Sequence, residues 1–270
     1  MKVSQTRLAE WRRCRQRYDW HYVSKIAISP SPGQLRGRAG HAALAAYYEG
    51  KTVEQSIGLG LLELLPLGLE GTKDRQLMTA ILQRYFQYAK ANDNWKVVAV
   101  EKELLGRVGR HELQGFVDLL VEIDGELVII DHKFQRNGTV EGTLLSPQLA
   151  MYSELVRQNY RREAHKVMYN VVRTTLGGVA LATPVVRIPA KIVPARHKLW
   201  QQELIAQSDE IERYHKGGEA APAVYRNQTG NCNWDCSFYQ RCLTLDTGGE
   251  PDDASPYPGI ELTASPEDSK

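Results

Sequence analysis

Residues 96–133 constrain the fold of this chain more than any other stretch. Val97–Glu101, Glu103–Val108, Glu112–Ile123 and Glu126–Lys133 are runs of β texture, and Asp124-Gly125 joins the last two. Asp-Gly between apolar runs is a strong hairpin signal, because a two-residue turn needs positive φ at both positions. With those two residues as the loop, Ile123 faces Glu126 and Asp118 faces Asp131. Opposed carboxylates repel in strands otherwise built of Phe116, Val117, Leu119, Leu120, Val128, Ile129 and Ile130, so something positive should lie between them. Alternation puts Lys133 on the face of Asp131 and sends His132 to the other. Two carboxylates and an ammonium then share one edge. Such a set suits Mg²⁺ or Mn²⁺, with the lysine orienting water or stabilising charge on a phosphodiester. The same residues also suit an ordinary surface ion-pair cluster.

On either side of the hairpin the chain reads as helical and mixed segments. Residues 5–23 place Leu8, Trp11, Cys14, Tyr18 and Tyr22 at spacings of three and four, one stripe of a helix otherwise decorated with arginines. After a Pro30/Pro32/Gly33 loop, a second helix is expected from near Arg38 to Gly50, with His41 in its first turn. Residues 51–92 read as helical with a turn around Pro66–Gly71. Ser146-Pro147 offers an N-cap and an N1 proline for a helix over Gln148–Tyr160, on which Gln148 and Tyr152 share a face. Strands are expected at Lys166–Arg173 and Val185–Ile192, and a long helix at Arg196–His215. No repeat and no P-loop is present.

The most apolar run, Ile57–Leu69, contains Glu63 and Pro66 and falls short of the roughly 20 residues that span a bilayer. No membrane association is expected. A charged amphipathic start, without an apolar signal segment, points to a cytoplasmic address. Residues 1–245 carry 33 basic and 25 acidic side chains, whereas 246–270 carry seven acids and one lysine. We therefore expect a single basic domain over 1–245, divided into a mostly helical 1–95, a sheet core at 96–192 and a helical, cysteine-bearing 193–245. A disordered acidic tail is expected over 246–270. Trp11, Trp20 and Trp234 are either core residues or stacking platforms for bases. Cys232, Cys236 and Cys242 cluster, and Cys14 is the fourth cysteine. Four thiolates hold Zn²⁺ or an iron-sulfur cluster; the usual zinc pattern is two close pairs, and unliganded buried thiols are the third reading.

Several of these features fall in a familiar order. Ser4, Leu8, Cys14, Tyr18 and Tyr22 come first, then Gly37 and Gly40-His41, Glu101, Gly115-Phe116-Val117-Asp118, Asp131-His132-Lys133, Gln148 with Tyr152, and the cysteine triplet. From Ser4 to Cys242 the chain resembles the PD-(D/E)XK nuclease superfamily, in particular its RecB-like exonuclease branch with an iron-sulfur cluster, and is similar to CRISPR-adaptation and AddB-type nuclease domains. The resemblance implies an α/β fold. Its restriction-endonuclease-like core would be a central mixed β-sheet flanked by helices, with a helical N-terminal region and a C-terminal cysteine segment closing an Fe-S site. It implies metal ligation by Asp118, Asp131 and His41, with Glu101 or its neighbour Glu103 contacting the site, and Lys133 as the catalytic lysine. Gln148 and Tyr152 would hold water or a DNA phosphate, and Cys14, Cys232, Cys236 and Cys242 a 4Fe-4S cluster. Three residues separate Cys232 from Cys236, where many relatives have two. The implied function is an Mg²⁺- or Mn²⁺-dependent DNA exonuclease acting on linear or single-stranded DNA in recombination, repair or phage DNA processing. A catalytically silent DNA-binding or scaffolding subunit on the same fold is the alternative. With no helicase motif present, expected partners are DNA ends, single-stranded or duplex, and a helicase, single-strand annealing or other recombination protein.

Overall fold

The structure, a computed structural model, describes residues 2–136, 147–178, 182–219, 221–246 and 248–249. It divides into two compact units, Met1–Leu8 with Pro30–Pro222, and Ala9–Ser29 with Ala223–Lys270.

The larger unit is built on a six-stranded mixed sheet. Its strands are β1 (Lys2–Val3), β2 (Lys96–Val108), β3 (His111–Ile123), β4 (Glu126–Gln135), β5 (Lys166–Arg173) and β6 (Val185–Lys191). The order is β1-β3-β4-β5-β6, with β2 also on β3. Pairings β2–β3, β3–β4 and β5–β6 are antiparallel, whereas β1–β3 and β4–β5 are parallel. The parallel β4–β5 step is bridged by a helix, α6 (Pro147–Tyr160), as a crossover requires. Ser146, the expected cap of α6, lies outside the described residues. Asp124 and Gly125 have φ of 52° and 79°, the turn their residue types favour.

Helices α3 (Pro32–Tyr48), α4 (Val53–Leu62) and α5 (Thr72–Asn92) pack together through Leu35, Ala43, Leu44, Ile57, Met78 and Phe86, and this core extends to Val172 and Val185 of the sheet. A short 3₁₀ segment, Leu65–Gly71, joins α4 to α5. The α3 helix starts earlier than expected from near Arg38: Ser31 accepts from the Gln34 N–H while Gln34 reaches back to the Ser31 N–H, a capping box with Pro32 at the first turn. His41 is therefore mid-helix and not in the first turn. Thr52 and Gln55 cap α4 in the same way. The last helix of this unit is α7 (Pro194–Lys216).

A buried polar network backs the sheet. The Tyr48 hydroxyl lies 2.6 Å from the Tyr85 hydroxyl and donates to Asp93 at 2.6 Å, and Arg187 pairs with Asp93. Asn170 donates to Tyr85 at 2.9 Å and lies 2.9 Å from Nδ1 of His132. Tyr48, Tyr85, Asp93, Asn170, His132 and Arg187 thus each find a partner within this network, which is what keeps it from destabilising the core.

The smaller unit takes the end of α1 (Gln5–Arg13), α2 (Arg15–Tyr18), a π-helical turn at Asp19–Val23, α8 (Cys232–Asp235) and α9 (Tyr239–Asp246). The single helix expected over 5–23 is broken at Cys14, which is extended (φ −167°, ψ 122°). Trp11 packs edge-on to Tyr18 at 4.9 Å and Trp20 lies 5.4 Å from Phe238. Both tryptophans are buried core residues and not stacking platforms; the side chain of Trp234 lies outside the described residues. No helix among the described residues is long and apolar enough to cross a membrane.

Candidate active site

The site forms where β3 and β4 part. Their ladder runs from Ile123–Glu126 to Leu119–Ile130 and stops there, one pair short of the direct opposition of Asp118 and Asp131 that the hairpin register suggests. The Asp118 carboxylate takes over: its Oδ2 accepts the His132 backbone N–H at 2.8 Å. The two acids thus sit at a strand divergence without being a ladder pair, close enough for Asp131 to raise the Asp118 pKa.

Asp131 is buried, with a side chain 1% exposed, and neither of its oxygens receives a hydrogen bond. Its counter-charge is the Lys133 ammonium, 2.5 Å from Oδ2, as the shared face of alternate residues requires. His132 turns away and stacks on Tyr48 at 5.9 Å. Burial, then the nearby His41, Arg187 and Lys133, hold the His132 imidazole well below its usual pKa.

His41 reaches the site from α3. Its Nδ1 lies 3.5 Å from Asp118 Oδ2 and 3.6 Å from Glu101 Oε1. One donor atom from each of His41, Glu101 and Asp118 falls within 4.8 Å of the others. Gly40 makes that approach possible, because a Cβ there would sit 2.2–2.4 Å from three atoms of the Phe134 ring on β4. Gly40→Ala must push α3 off the sheet, so it should cost about 1–3 kcal/mol by urea unfolding and reduce activity, with Phe134→Leu recovering part of both.

Glu101 has φ of 41° in the middle of β2, a conformation few non-glycine residues adopt. The two short strands expected at Val97–Glu101 and Glu103–Val108 are one strand with this irregularity inside it. Of the two glutamates Glu101 lies near His41, whereas Glu103 bonds to Gln114; both are exposed.

Gln148 and Tyr152 meet on α6, the Gln148 amide donating to the Tyr152 hydroxyl at 2.8 Å. Gly115 lets α6 this close to β3, since a Cβ there would lie 2.7 Å from Leu155 and 3.1 Å from the Tyr152 ring. Burial raises the Tyr152 pKa, and the acids Asp118, Asp131 and Glu101 add to this against the Gln148 bond, so the phenol stays protonated.

The electrostatics describe a site short of positive charge. Burial, with repulsion from Asp131 and Glu101 outweighing His41 and the His132 N–H, pushes the Asp118 carboxyl up to about 7. Burial opposes charge on His41, yet Glu101, Asp118 and Asp131 raise its pKa. A buried carboxyl pushed up in this way, with a second carboxylate and an imidazole beside it, belongs to a donor set of the type divalent cations take. Among the described residues a second group, His111 with Asp209 and Glu212, is equally compact. There Arg110 already pairs with both acids, at 2.7 and 3.1 Å, and the His111 ring nitrogens face one acid each, so it reads as a clamp between β3 and α7.

The smaller unit gathers the cysteines. Cys14, Cys232, Cys236 and Cys242 all line one cavity of about 280 Å³. Backbone N–H groups of Asn227 and Thr229 point at Cys14 and Cys232 sulfurs at 3.4 and 3.3 Å, and the Arg17 guanidinium lies 3.6 Å from that of Cys236. Burial and the Cys236 thiol, opposed by Arg226 and helped by Cys14, push Cys242 up to about 11.

Known proteins share this arrangement of a mixed sheet and flanking helices. The sequence pattern of the PD-(D/E)XK nuclease superfamily matches residues 2–243, so the chain belongs to that superfamily. The fold is similar to that of a protein from Eubacterium rectale described as a "putative exonuclease", with a TM-score of 0.60 at 14% identity over 87% of this chain and 86% of that one. A second solved structure, SSO0001, aligns over 81% of this chain and 96% of that one at 14% identity, but its TM-score of 0.30 carries no argument. No curated protein matches the chain.

Proposed function

We propose that this chain is an Mg²⁺- or Mn²⁺-dependent deoxyribonuclease, acting as an exonuclease on DNA ends. The observation that carries the reading is Asp131, a buried carboxylate paired with Lys133 and close enough to His41 and Asp118 to shift their titration, beside the compact set of donors from His41, Glu101 and Asp118. A carboxylate that deeply buried is costly unless a cation completes its surroundings. A divalent cation in such a site supplies Lewis-acid polarisation of a phosphoryl oxygen and activation of water.

The chain's own groups do the rest. Asp131, Asp118, Glu101 and His41 would hold the cation, Asp118 having one oxygen already fixed by the His132 N–H. Lys133 would orient the attacking water and balance charge on the phosphorane-like transition state. Because the Tyr152 oxygen accepts from Gln148, its own hydrogen is left to donate to a phosphate oxygen or to water.

Cleavage of end-labelled linear and closed circular DNA, with Mg²⁺, Mn²⁺ or EDTA, tests this. Metal-dependent loss of the linear form alone is expected, and DNA binding without any cleavage would favour the silent scaffold instead. A pH dependence accompanies it. Asp118 titrates near 7, so below that value a cation must displace a proton. The apparent Kd for Mn²⁺ should therefore rise about tenfold per pH unit as pH falls from about 7 to 6, and level off above 7. An Mn²⁺ titration with the same Kd at both ends would contradict the assignment.

We further propose that the four cysteines hold a 4Fe-4S cluster. Their shared cavity and the N–H groups aimed at the sulfurs fit thiolates bound to a cationic core. No three of these sulfurs, all among the described residues, lie within 4.8 Å of one another, whereas a tetrahedral zinc with 2.3 Å bonds needs about 3.8 Å.

A further inference from the structure

Asn170 is fully buried, yet it takes no part in the chemistry proposed above. It stands opposite His132 in the parallel β4–β5 ladder. Its oxygen and both amide hydrogens are engaged: Oδ1 lies 3.3 Å from Arg187 Nε, and Nδ2 lies 2.9 Å from the Tyr85 hydroxyl and 2.9 Å from His132 Nδ1. Arginine can only donate, so the Asn170 oxygen must face Arg187 and its amide hydrogens must face Tyr85 and His132. His132 Nδ1 is therefore an acceptor, and the ring carries its hydrogen on Nε2. At the far end Arg187 is paired with Asp93 and lies 4.3 Å from the centroid of the Trp95 ring, which holds the amide of Asn170 in this orientation.

His132 is where this network meets the candidate metal donors. Beyond Leu119–Ile130 the ladder of β4 with β3 stops, while its ladder with β5 runs on to Gln135–Arg173. The stretch that carries Asp131, His132 and Lys133 is thus strand-paired on the β5 side, and toward β3 the His132 N–H donates to Asp118 Oδ2 at 2.8 Å. The His132 ring lies parallel to Tyr48, at 5.9 Å and 7° between planes, and edge-on to His41 at 6.1 Å. One residue therefore meets two of the donors, a carboxylate through its backbone and an imidazole through its ring. Stacking restrains a ring along its normal and leaves it free to shift within its plane, whereas a hydrogen bond is directional. We propose that Asn170 is a positioning residue for the metal site: by holding His132 Nδ1 it fixes both the backbone N–H that orients Asp118 and the ring that packs beside His41. The inference rests on the metal reading above and gives Asn170 no contact with the cation or with DNA.

Mn²⁺ titrations and metal-free melting curves of the same proteins test it. Asn170→Leu removes all three bonds at similar volume and should weaken Mn²⁺ binding about tenfold, the lower end of what outer partners of metal ligands contribute. His132→Phe keeps the backbone N–H and the ring on Tyr48 but loses the Nδ1 acceptor, and it should weaken Mn²⁺ binding by a similar factor. Adding Asn170→Leu to His132→Phe should then change the Mn²⁺ Kd no further, because both act through the same bond. Met78→Ala, which opens a cavity in the helical core of α3, α4 and α5, should lower the metal-free Tm and leave the Mn²⁺ Kd within twofold of wild type. An unchanged Kd in Asn170→Leu overturns the inference while the metal reading stands, and where that variant does not fold, an unchanged Kd in His132→Phe does the same. A loss in Met78→Ala as large as in Asn170→Leu overturns it too, since general loosening then accounts for both. Additive losses in the double variant overturn the path through His132. If the wild type binds no Mn²⁺, the metal reading fails and takes the inference with it.

Discussion

Lys133→Ala will abolish DNA cleavage to within measurement, a fall in kcat of about 10³-fold or roughly 4 kcal/mol, while the protein still takes up its divalent cation. The reason is the division of labour at the strand divergence. Lys133 is a quarter exposed, and its removal takes from Asp131, which is 1% exposed, the ammonium that pairs with it. In the absence of metal the variant should therefore be less stable than wild type by about 1–3 kcal/mol. Added Mg²⁺ or Mn²⁺ restores the missing positive charge, so the metal-induced rise in Tm should be larger in Lys133→Ala than in wild type. Asp131→Asn behaves differently: it loses cleavage and the metal-induced rise together. Calorimetric scans with and without metal, beside a cleavage assay, separate the two roles. Retention of more than a tenth of wild-type activity by Lys133→Ala would remove the lysine from the mechanism.

The sequence made parts of this site legible for local reasons. Asp124-Gly125 fixes the hairpin because its two residues tolerate positive φ, and alternation alone brings Lys133 beside Asp131. Gln148 and Tyr152 meet because four residues make one helical turn. Other features depend on contacts distant in sequence and were not readable. The ladder ends at Leu119–Ile130, while β3 pairs with β1 at Glu112 and Leu113 and β4 pairs with β5, and no local pattern reports these partners. Alternation puts Glu101 and Glu103 on one face of β2 and so cannot choose between them; the approach of His41 from α3 to Glu101 is a contact distant in sequence. The early start of α3 was readable in Ser31-Pro32-Gly33-Gln34, whose capping box lies behind two prolines that look like a loop. Likewise the break at Cys14 contradicts a clean helical stripe, and it is this break that turns Cys14 toward the cavity it shares with the other three cysteines.

The second large effect concerns those cysteines. Cys236→Ser should yield protein without iron, sulfide or thiolate-to-iron absorbance, largely insoluble, and cut by protease within Ala9–Ser29 and Ala223–Asp246. The apolar core available to this unit is small, with Trp11, Tyr18, Trp20 and Phe238 as its buried aromatics. A unit of that size has too little burial to offset its chain entropy and needs a covalent or metal staple. The Arg17 guanidinium, itself 8% exposed, is held between Glu10 at 3.0 Å and the Cys236 sulfur at 3.6 Å. Losing a thiolate there leaves a buried cation short of one partner, which adds to the loss of the cluster. Cys14→Ser should fail in the same manner, because its sulfur is the one contributed from the other end of the chain. Anaerobically purified wild-type protein should contain about four irons and four sulfides, as a 4Fe-4S cluster on four thiolates requires. One equivalent of zinc with no sulfide would replace the cluster by a zinc staple, and neither metal in soluble, protease-resistant protein would show that the four thiols stabilise the unit without a ligand.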